Sequence, residues 1–380
     1  MKLRSKNTGN LNSILYIFGP GRKGKIQNDD DFAQEFFYGY FHFKNIGYKT
    51  DIIEFNPSNK GILNLTLVFL DKVFRKISSL PFFMSHLITF KNIKKIIKYK
   101  NIVMTLDRAA ISLVFPFYIL GKLLNKNSLI IVMGLIKRGD SSLIDSLLLK
   151  ILFSTYSNFA YLGKSEYEEA CKRFPKYHYK FHFVPFCIDT SFWFDQNKNL
   201  QKKQNKKTIL FVGNDGKRDF SHVLKLAKEN LELNFIIISS NSIFNSIKDS
   251  PNITYLNGSL FNSKISDNDL KEIYTNSSLT IVPLTNSLQP SGQSVTLQSL
   301  ACGTPVLITK TDGFWDFDSF NESNITFLND NSVESWSSEL TNLLNNTEKY
   351  NELVKNGQLL IFEKYYLDLF NKKINSFFEH

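Results

Sequence analysis

Short apolar runs of strand length alternate with segments of helix length almost from one end of this chain to the other, and that alternation restricts the fold more than any other feature. Strand candidates are Ser13–Phe18, Tyr48–Glu54, Ile102–Leu106, Leu129–Met133, Phe159–Leu162 and Lys180–Pro185. After a gap they resume as Thr208–Val212, Asn234–Ser239, Ile253–Leu256, Leu279–Pro283 and Pro305–Thr309. Helical patterning falls between them, over Asp31–Asn45, Arg108–Leu124, Ser165–Phe174, Phe220–Asn230, Ser266–Thr275 and Ser294–Ala301, with Asp140-Ser141-Ser142 capping a further helix. Val333–Leu344 and Lys349–Phe378 read as terminal helices. Strands that alternate with helices form parallel sheets covered on both faces.

The gap between the two sets is polar, rich in Lys, Asn and Gln, and aperiodic. It reads as a linker. The expected fold class is therefore α/β, with two Rossmann-like domains facing across a cleft. Residues 1–190 form the N-terminal domain, 191–207 the linker and 208–360 the C-terminal domain, and a helix over 361–380 returns to the N-terminal domain. Open parallel sheets bind ligands beyond the carboxyl ends of their strands, so the site belongs in the cleft.

Charge separates the halves. The chain carries a net +11, but residues 1–200 hold 29 Lys+Arg against 15 Asp+Glu, while residues 201–380 hold 17 against 20. A basic N-terminal half fits an anionic partner, such as a phosphorylated or lipid-linked acceptor or an acidic membrane surface. Its densest run is Lys91, Lys94, Lys95, Lys98 and Lys100, interleaved with isoleucines at helical spacing. Such a helix either lies on a membrane surface or is an ordinary solvated face. No nucleic-acid signature accompanies it. The three cysteines, Cys171, Cys187 and Cys302, and the six scattered histidines match no metal spacing, so no metal and no bound cofactor is expected. The unpaired cysteines fit a reducing, cytoplasmic setting. The longest apolar stretch, Ala109–Leu120, is too short to span a bilayer, which takes about 20 residues.

Two segments carry chemistry. In the first, a strand runs into Gly213-Asn214-Asp215-Gly216, then Lys217 and Arg218, then a helix. Small residues admit a phosphate to the backbone, and two cations neutralise a diphosphate. A solvated turn has the same composition. In the second, Ser291-Gly292-Gln293-Ser294 opens a short helix whose first amides point at an anion. Gln298, about one turn in, places an amide within reach of a ribose diol. A polar βαβ crossover accounts for Gly303 and Pro305 but not for that loop. Near the N-terminus, Gly19-Pro20-Gly21 follows the first strand as a cleft-facing loop or a solvated turn.

The stretch Ser299-Leu300-Ala301-Cys302-Gly303-Thr304-Pro305-Val306 resembles the donor-binding signature of GT-B glycosyltransferases, glycosyltransferase family 4 in particular. Val184-Pro185-Phe186-Cys187-Ile188-Asp189 resembles the segment that ends that family's N-terminal domain. The resemblance implies sugar transfer from a nucleotide diphosphate sugar, as co-substrate, to a hydroxyl acceptor, with retention at the anomeric carbon and no metal. It implies that Lys217 and Arg218 hold the diphosphate and that Gly292, Gln293 and Ser294 lie against the diphosphate or sugar. Departures are specific. The family's two glutamates align with Pro290 and Gln298. Its N-terminal histidine falls in a stretch that here reads Gly134-Leu135-Ile136-Lys137-Arg138, where Lys137 and Arg138 either meet an anionic acceptor or lie on the surface. A sugar-nucleotide epimerase and a non-catalytic nucleotide or glycan binder share the architecture and remain as alternatives.

Overall fold

The fold is described from a computed structural model covering residues 13–27, 31–57, 62–137, 142–194, 200–247, 250–258 and 265–379. Its first sheet holds β1 (Ser13–Phe18), β2 (Lys49–Glu54), β3 (Asn101–Met104), β4 (Asn127–Val132), β5 (Asn158–Tyr161) and β6 (Phe181–Phe183) in the order β2-β1-β3-β4-β5-β6. The second holds β7 (Thr208–Val212), β8 (Asn234–Ser239), β9 (Ile253–Asn257), β10 (Leu279–Val282), β11 (Val306–Thr309) and β12 (Thr326–Leu328) in the order β12-β11-β10-β7-β8-β9. Neighbouring strands run parallel in both. A parallel sheet covered on both faces needs strands that are apolar throughout. Ser13–Phe18 is buried at all six positions, and Leu279–Val282 and Val306–Thr309 at all four. The strand order reverses between β1 and β3 in one sheet and between β7 and β10 in the other. These two switch points are where such sheets open a ligand crevice.

Three local expectations are corrected. Asp31–Asn45 is not one helix. A 3₁₀ turn, Glu35–Phe37, and a helix, Tyr40–Asn45, are separated by Tyr38 (φ 49°) and Gly39 (φ 86°), two successive left-handed residues that no helix accommodates. The aperiodic linker contains the helix Leu200–Asn205, and two of its polar side chains, Lys203 and Gln204, are fastened to the C-terminal domain. Lys203 Nζ donates to Gly303 O at 2.9 Å, to Cys302 O at 3.4 Å and to Thr304 Oγ1. Gln204 Nε2 donates to Leu343 O at 3.1 Å. The terminal helix is broken: Thr347–Lys364 stops, Tyr366 bridges Ile188, and Leu367–Asn375 follows. Past that break the chain lies on the first sheet's domain, with Asn127 Nδ2 donating to Phe377 O at 2.8 Å and Phe378 edge-on to Phe43.

Lys203 caps the carbonyls that end helix Gln293–Ala301, where a cation is doubly favourable. Lys203→Met keeps the stem and removes the ammonium donors from those buried carbonyls. Urea unfolding is expected to show a loss of about 1–3 kcal/mol, and a loss below about 0.5 kcal/mol contradicts the cap.

Candidate active site

The two loops singled out in the sequence meet at the β7/β10 switch point. Leaving β7, Gly213 N donates to Ile238 O, and the loop turns so that Arg218 forms an antiparallel bridge with Leu284, just past β10. Asp219 then caps helix Phe220–Glu229, its side chain accepting from His222 N. These constraints drive the Arg218 side chain inward. Arg218 is 6% exposed. Its guanidinium lies between the two glycines of the loops: a methyl on Gly213 would come within 2.5 Å of Arg218 Nε, and one on Gly292 within 3.1 Å of Arg218 Nη1. Gly292, at φ 86°, begins helix Gln293–Ala301 without a side-chain cap, a backbone state that favours glycine.

What this guanidinium lacks is hydrogen bonding at two of its nitrogens. Asp215 Oδ2 stands 3.2 Å from Nε but out of line for a hydrogen bond, and among the described residues neither Nε nor Nη1 is hydrogen-bonded. Burial lowers the guanidinium's pKa, an effect opposed by Asp215 and Tyr274, yet arginine stays charged in proteins. In the residue before Gly292, Ser291 Oγ is also buried and has no hydrogen-bond partner among the described residues. A buried cation with unused donors, next to a free hydroxyl and an uncapped helix start, is a cradle for an anion.

The other sequence candidates take different places. Lys217 is half-buried and enters no ion pair among the described residues, while its carbonyl accepts from Thr285 N at 2.8 Å. Asn214 braces the strand ends: Oδ1 accepts from Ser239 Oγ and Ser240 Oγ, and Nδ2 donates to Gly258 O at 2.6 Å. Gln293 crosses the cleft, donating from Nε2 to Leu162 O at 2.7 Å. Ser294 is half-buried in the first turn. Gln298 is buried and held by side chains, Nε2 on Glu35 at 2.9 Å and Oε1 beneath Tyr274 OH at 3.4 Å. Gly19 and Gly21 lie past β1 at the other switch point, with Gly19 against Leu106 and Gly21 at φ 88°. Lys137 is exposed and directs Nζ to Ser79 O at 3.2 Å. Arg138 lies outside the described residues.

Three carboxylates that the sequence reading passed over stand on the N-terminal side. Glu166, fully buried, accepts from Gly134 N at 2.9 Å and Ile136 N at 2.8 Å, so it shapes the loop after β4; burial pushes its carboxyl up to about 8. Asp107, at the start of helix Asp107–Leu123, is pushed up to about 6 by burial. Glu35 reaches about 7 for the same reason. The signal at Glu35 is an acidic residue in an aromatic-rich stretch, just before Phe36-Phe37-Tyr38, and it is indistinguishable from one on a solvated face. Among the described residues no three His, Cys, Asp or Glu side chains converge as a metal site, and no helix is long and apolar enough to cross a membrane. Asp316 and Asp318, spaced as Asp-x-Asp, are engaged with Tyr365 OH and Lys164.

The domains touch through the same loop. A methyl on Gly163 would approach Pro290 Cβ to 3.0 Å, and one on Gly134 would approach Gln289 Cδ to 3.1 Å. Lys164 N donates to Trp315 O at 2.9 Å, and Lys25 pairs with Asp267.

Residues 194–360 match the sequence model of the glycosyl transferases group 1 family. No curated protein sequence matches the chain. Among solved structures, Anabaena HepE in complex with UDP-glucose is 10% identical, with 96% of this chain and 98% of that chain aligned at a TM-score of 0.64. Sucrose-phosphate synthase from Thermosynechococcus elongatus is 13% identical over 96% and 97%, at 0.68. A glycosyltransferase from Rickettsia africae ESF-5 is 10% identical over 97% and 98%, at 0.63. With the two facing six-stranded parallel sheets, these structures give the chain the GT-B fold, within which residues 194–360 are similar to the glycosyl transferases group 1 family.

Proposed function

We propose that the chain transfers a sugar from a nucleotide diphosphate sugar to a hydroxyl acceptor, with retention of configuration. The observation that carries this is the buried Arg218 guanidinium, with two nitrogens not hydrogen-bonded, beside the uncapped start of helix Gln293–Ala301. Transfer breaks the bond from the anomeric carbon to the diphosphate oxygen and forms one to the acceptor oxygen. Charge develops on the departing diphosphate, so fixed donors aimed there lower the barrier. Arg218, Ser291 Oγ and the first amides of the helix are such donors, and Lys217 adds a more exposed cation. The remaining contribution is orientation of the two substrates across the cleft. On the acceptor side lie the strand ends at the β1/β3 switch point, with Gly19, Gly21 and Asp107.

An anionic or lipid-linked acceptor, with contact to a membrane surface, is favoured by the basic N-terminal half and by the apolar side chains exposed there. Phe90 is exposed beside Lys91 and Lys94, and Leu65 and Phe69 lie on the helix that carries Lys72, Arg75 and Lys76. A non-catalytic nucleotide binder is favoured by one observation: Pro290 stands in place of a glutamate and is wedged against Gly163.

A panel of nucleotide sugars, each offered with and without hydroxyl acceptors in solution and in anionic vesicles, separates these readings. The expected result is release of nucleoside diphosphate together with a glycoside whose anomeric coupling matches the donor's. An epimerised sugar formed with no acceptor identifies an epimerase. Nucleotide binding with no turnover across the panel identifies a binder and ends the transferase reading.

A further inference from the structure

The family resemblance puts a glutamate at position 298, where this chain has Gln. Helix Gln293–Ala301 turns that side chain toward the N-terminal domain, where Glu35 meets it. Gln298 Nε2 and Trp193 Nε1 both donate to Glu35 Oε1, at 2.9 Å each. The backbone N–H of Asp189 faces Glu35 Oε2 at 3.4 Å. Glu35 is 1% exposed and Gln298 4%. One carboxylate therefore joins three parts of the chain: the N-terminal domain, the connector at 189–193 and the C-terminal domain. Arg22, Tyr38, Asp189 and Tyr274 are the other ionisable groups around it; Arg22 lies over the rings of Phe36 and Phe37. A glutamate at 298 would set a second carboxylate within hydrogen-bond distance of Glu35, away from water, where two like charges cannot both be kept.

We infer that Glu35 and Gln298 are a matched pair in which the carboxylate stands across the domain boundary from its family position, and that their bond fixes the helix Gln293–Ala301 against the N-terminal domain. On the function proposed above, both are positioning residues: the nucleotide site is complete only when the domains are docked through this joint.

Exchanging the two groups tests it. Wild type, Glu35→Gln, Gln298→Glu and the double variant are compared by thermal unfolding at pH 5.5 and pH 8, and by calorimetric titration with UDP and with GDP. Gln298→Glu is expected to lower the melting temperature by about 5 °C or more at pH 8. The loss shrinks at pH 5.5, where one of the facing carboxyls takes up a proton. Glu35→Gln alone costs less, since its carbonyl still accepts from Trp193 and Gln298. The double variant returns to within about 2 °C of wild type, because amide and carboxylate have only traded places. Affinity for whichever nucleotide binds falls by at least about tenfold in Gln298→Glu and recovers to within about threefold in the double variant. If position 298 only contacted ribose, restoring glutamate would tighten binding, and the second substitution would rescue nothing; either result overturns the pair. A wild type that binds neither nucleotide counts against the proposed function, and the unfolding comparison then decides the joint by itself.

Discussion

Arg218→Ala is expected to cut sugar transfer by about a hundred- to a thousandfold, the usual consequence of removing a preorganised donor from a developing anion. The folded state is expected to survive. The guanidinium is buried with two nitrogens not hydrogen-bonded, and the carboxylate it pairs with, Asp215, is partly exposed, so water can solvate that carboxylate once the arginine is gone and no uncompensated buried charge is left behind. The cavity that the alanine leaves, between Gly213 and Gly292, is bordered by loop backbone that can settle. Arg218→Lys separates charge from shape. Lysine restores a cation but not the planar fork, so transfer should recover only in part. Lys217→Ala, at a half-exposed position, should cost about tenfold or less, because solvent screens what it adds. The measurement is single-turnover transfer with a saturating donor, alongside urea unfolding of each variant. Arg218→Ala activity within about tenfold of wild type, with an unchanged unfolding midpoint, would remove Arg218 from the site.

How far the sequence leads depends on the range of the interaction. The buried strands were visible because Ser13–Phe18 and Leu279–Val282 are mostly apolar, a local property. The two loops were visible because glycine, a basic pair and a helix start are adjacent in the chain, and folding brings them onto one switch point through the Arg218–Leu284 bridge. The replacements at 290 and 298 could be read as departures, but their consequences could not. That Pro290 wedges against Gly163 and that Gln298 meets Glu35, 263 residues away, depends on how the domains dock. Lys203 looked like part of a solvated linker, since nothing beside it in sequence announces the helix end it caps. Asn214 and Lys137 stand in the loops that the sequence singles out, and their side chains bond Gly258 O and Ser79 O, partners that no local pattern names. Polar residue type identifies a possible contact; only tertiary geometry assigns the partner.

Glu166 shows what such a hidden carboxylate does to stability. Both oxygens accept backbone amides, from Gly134 and Ile136, and no cation among the described residues offsets the charge; burial raises the carboxyl from 4.5 to about 8. The native state therefore binds a proton more tightly than the unfolded chain. Its contribution is complete below about pH 4.5 and is lost as pH rises toward 8, where the ionised form must be held without solvent. At about 1.4 kcal/mol per pKa unit the full swing is on the order of 5 kcal/mol, a large share of the roughly 5–15 kcal/mol that holds a domain together. Asp107 and Glu35, raised to about 6 and about 7, slope the same way over narrower windows. Burial lowers the pKa of the His86, His182 and His222 imidazoles, which slope the opposite way below their ordinary range; the urea midpoint is thus expected to fall steadily from about pH 6.5, where they are already neutral, to pH 8.5. Glu166→Gln supplies the control. Its single carbonyl serves one of the two amides and its NH2 opposes the other, so at pH 5 the variant should be weaker by about 1–3 kcal/mol. It cannot ionise, however, so its pH slope should be visibly shallower and the gap to wild type should close or invert by pH 8.5. Equal slopes in the two proteins would show that the carboxyl titrates near its ordinary value, and that the loop at 134–136 is held by a charge the fold accommodates at no penalty.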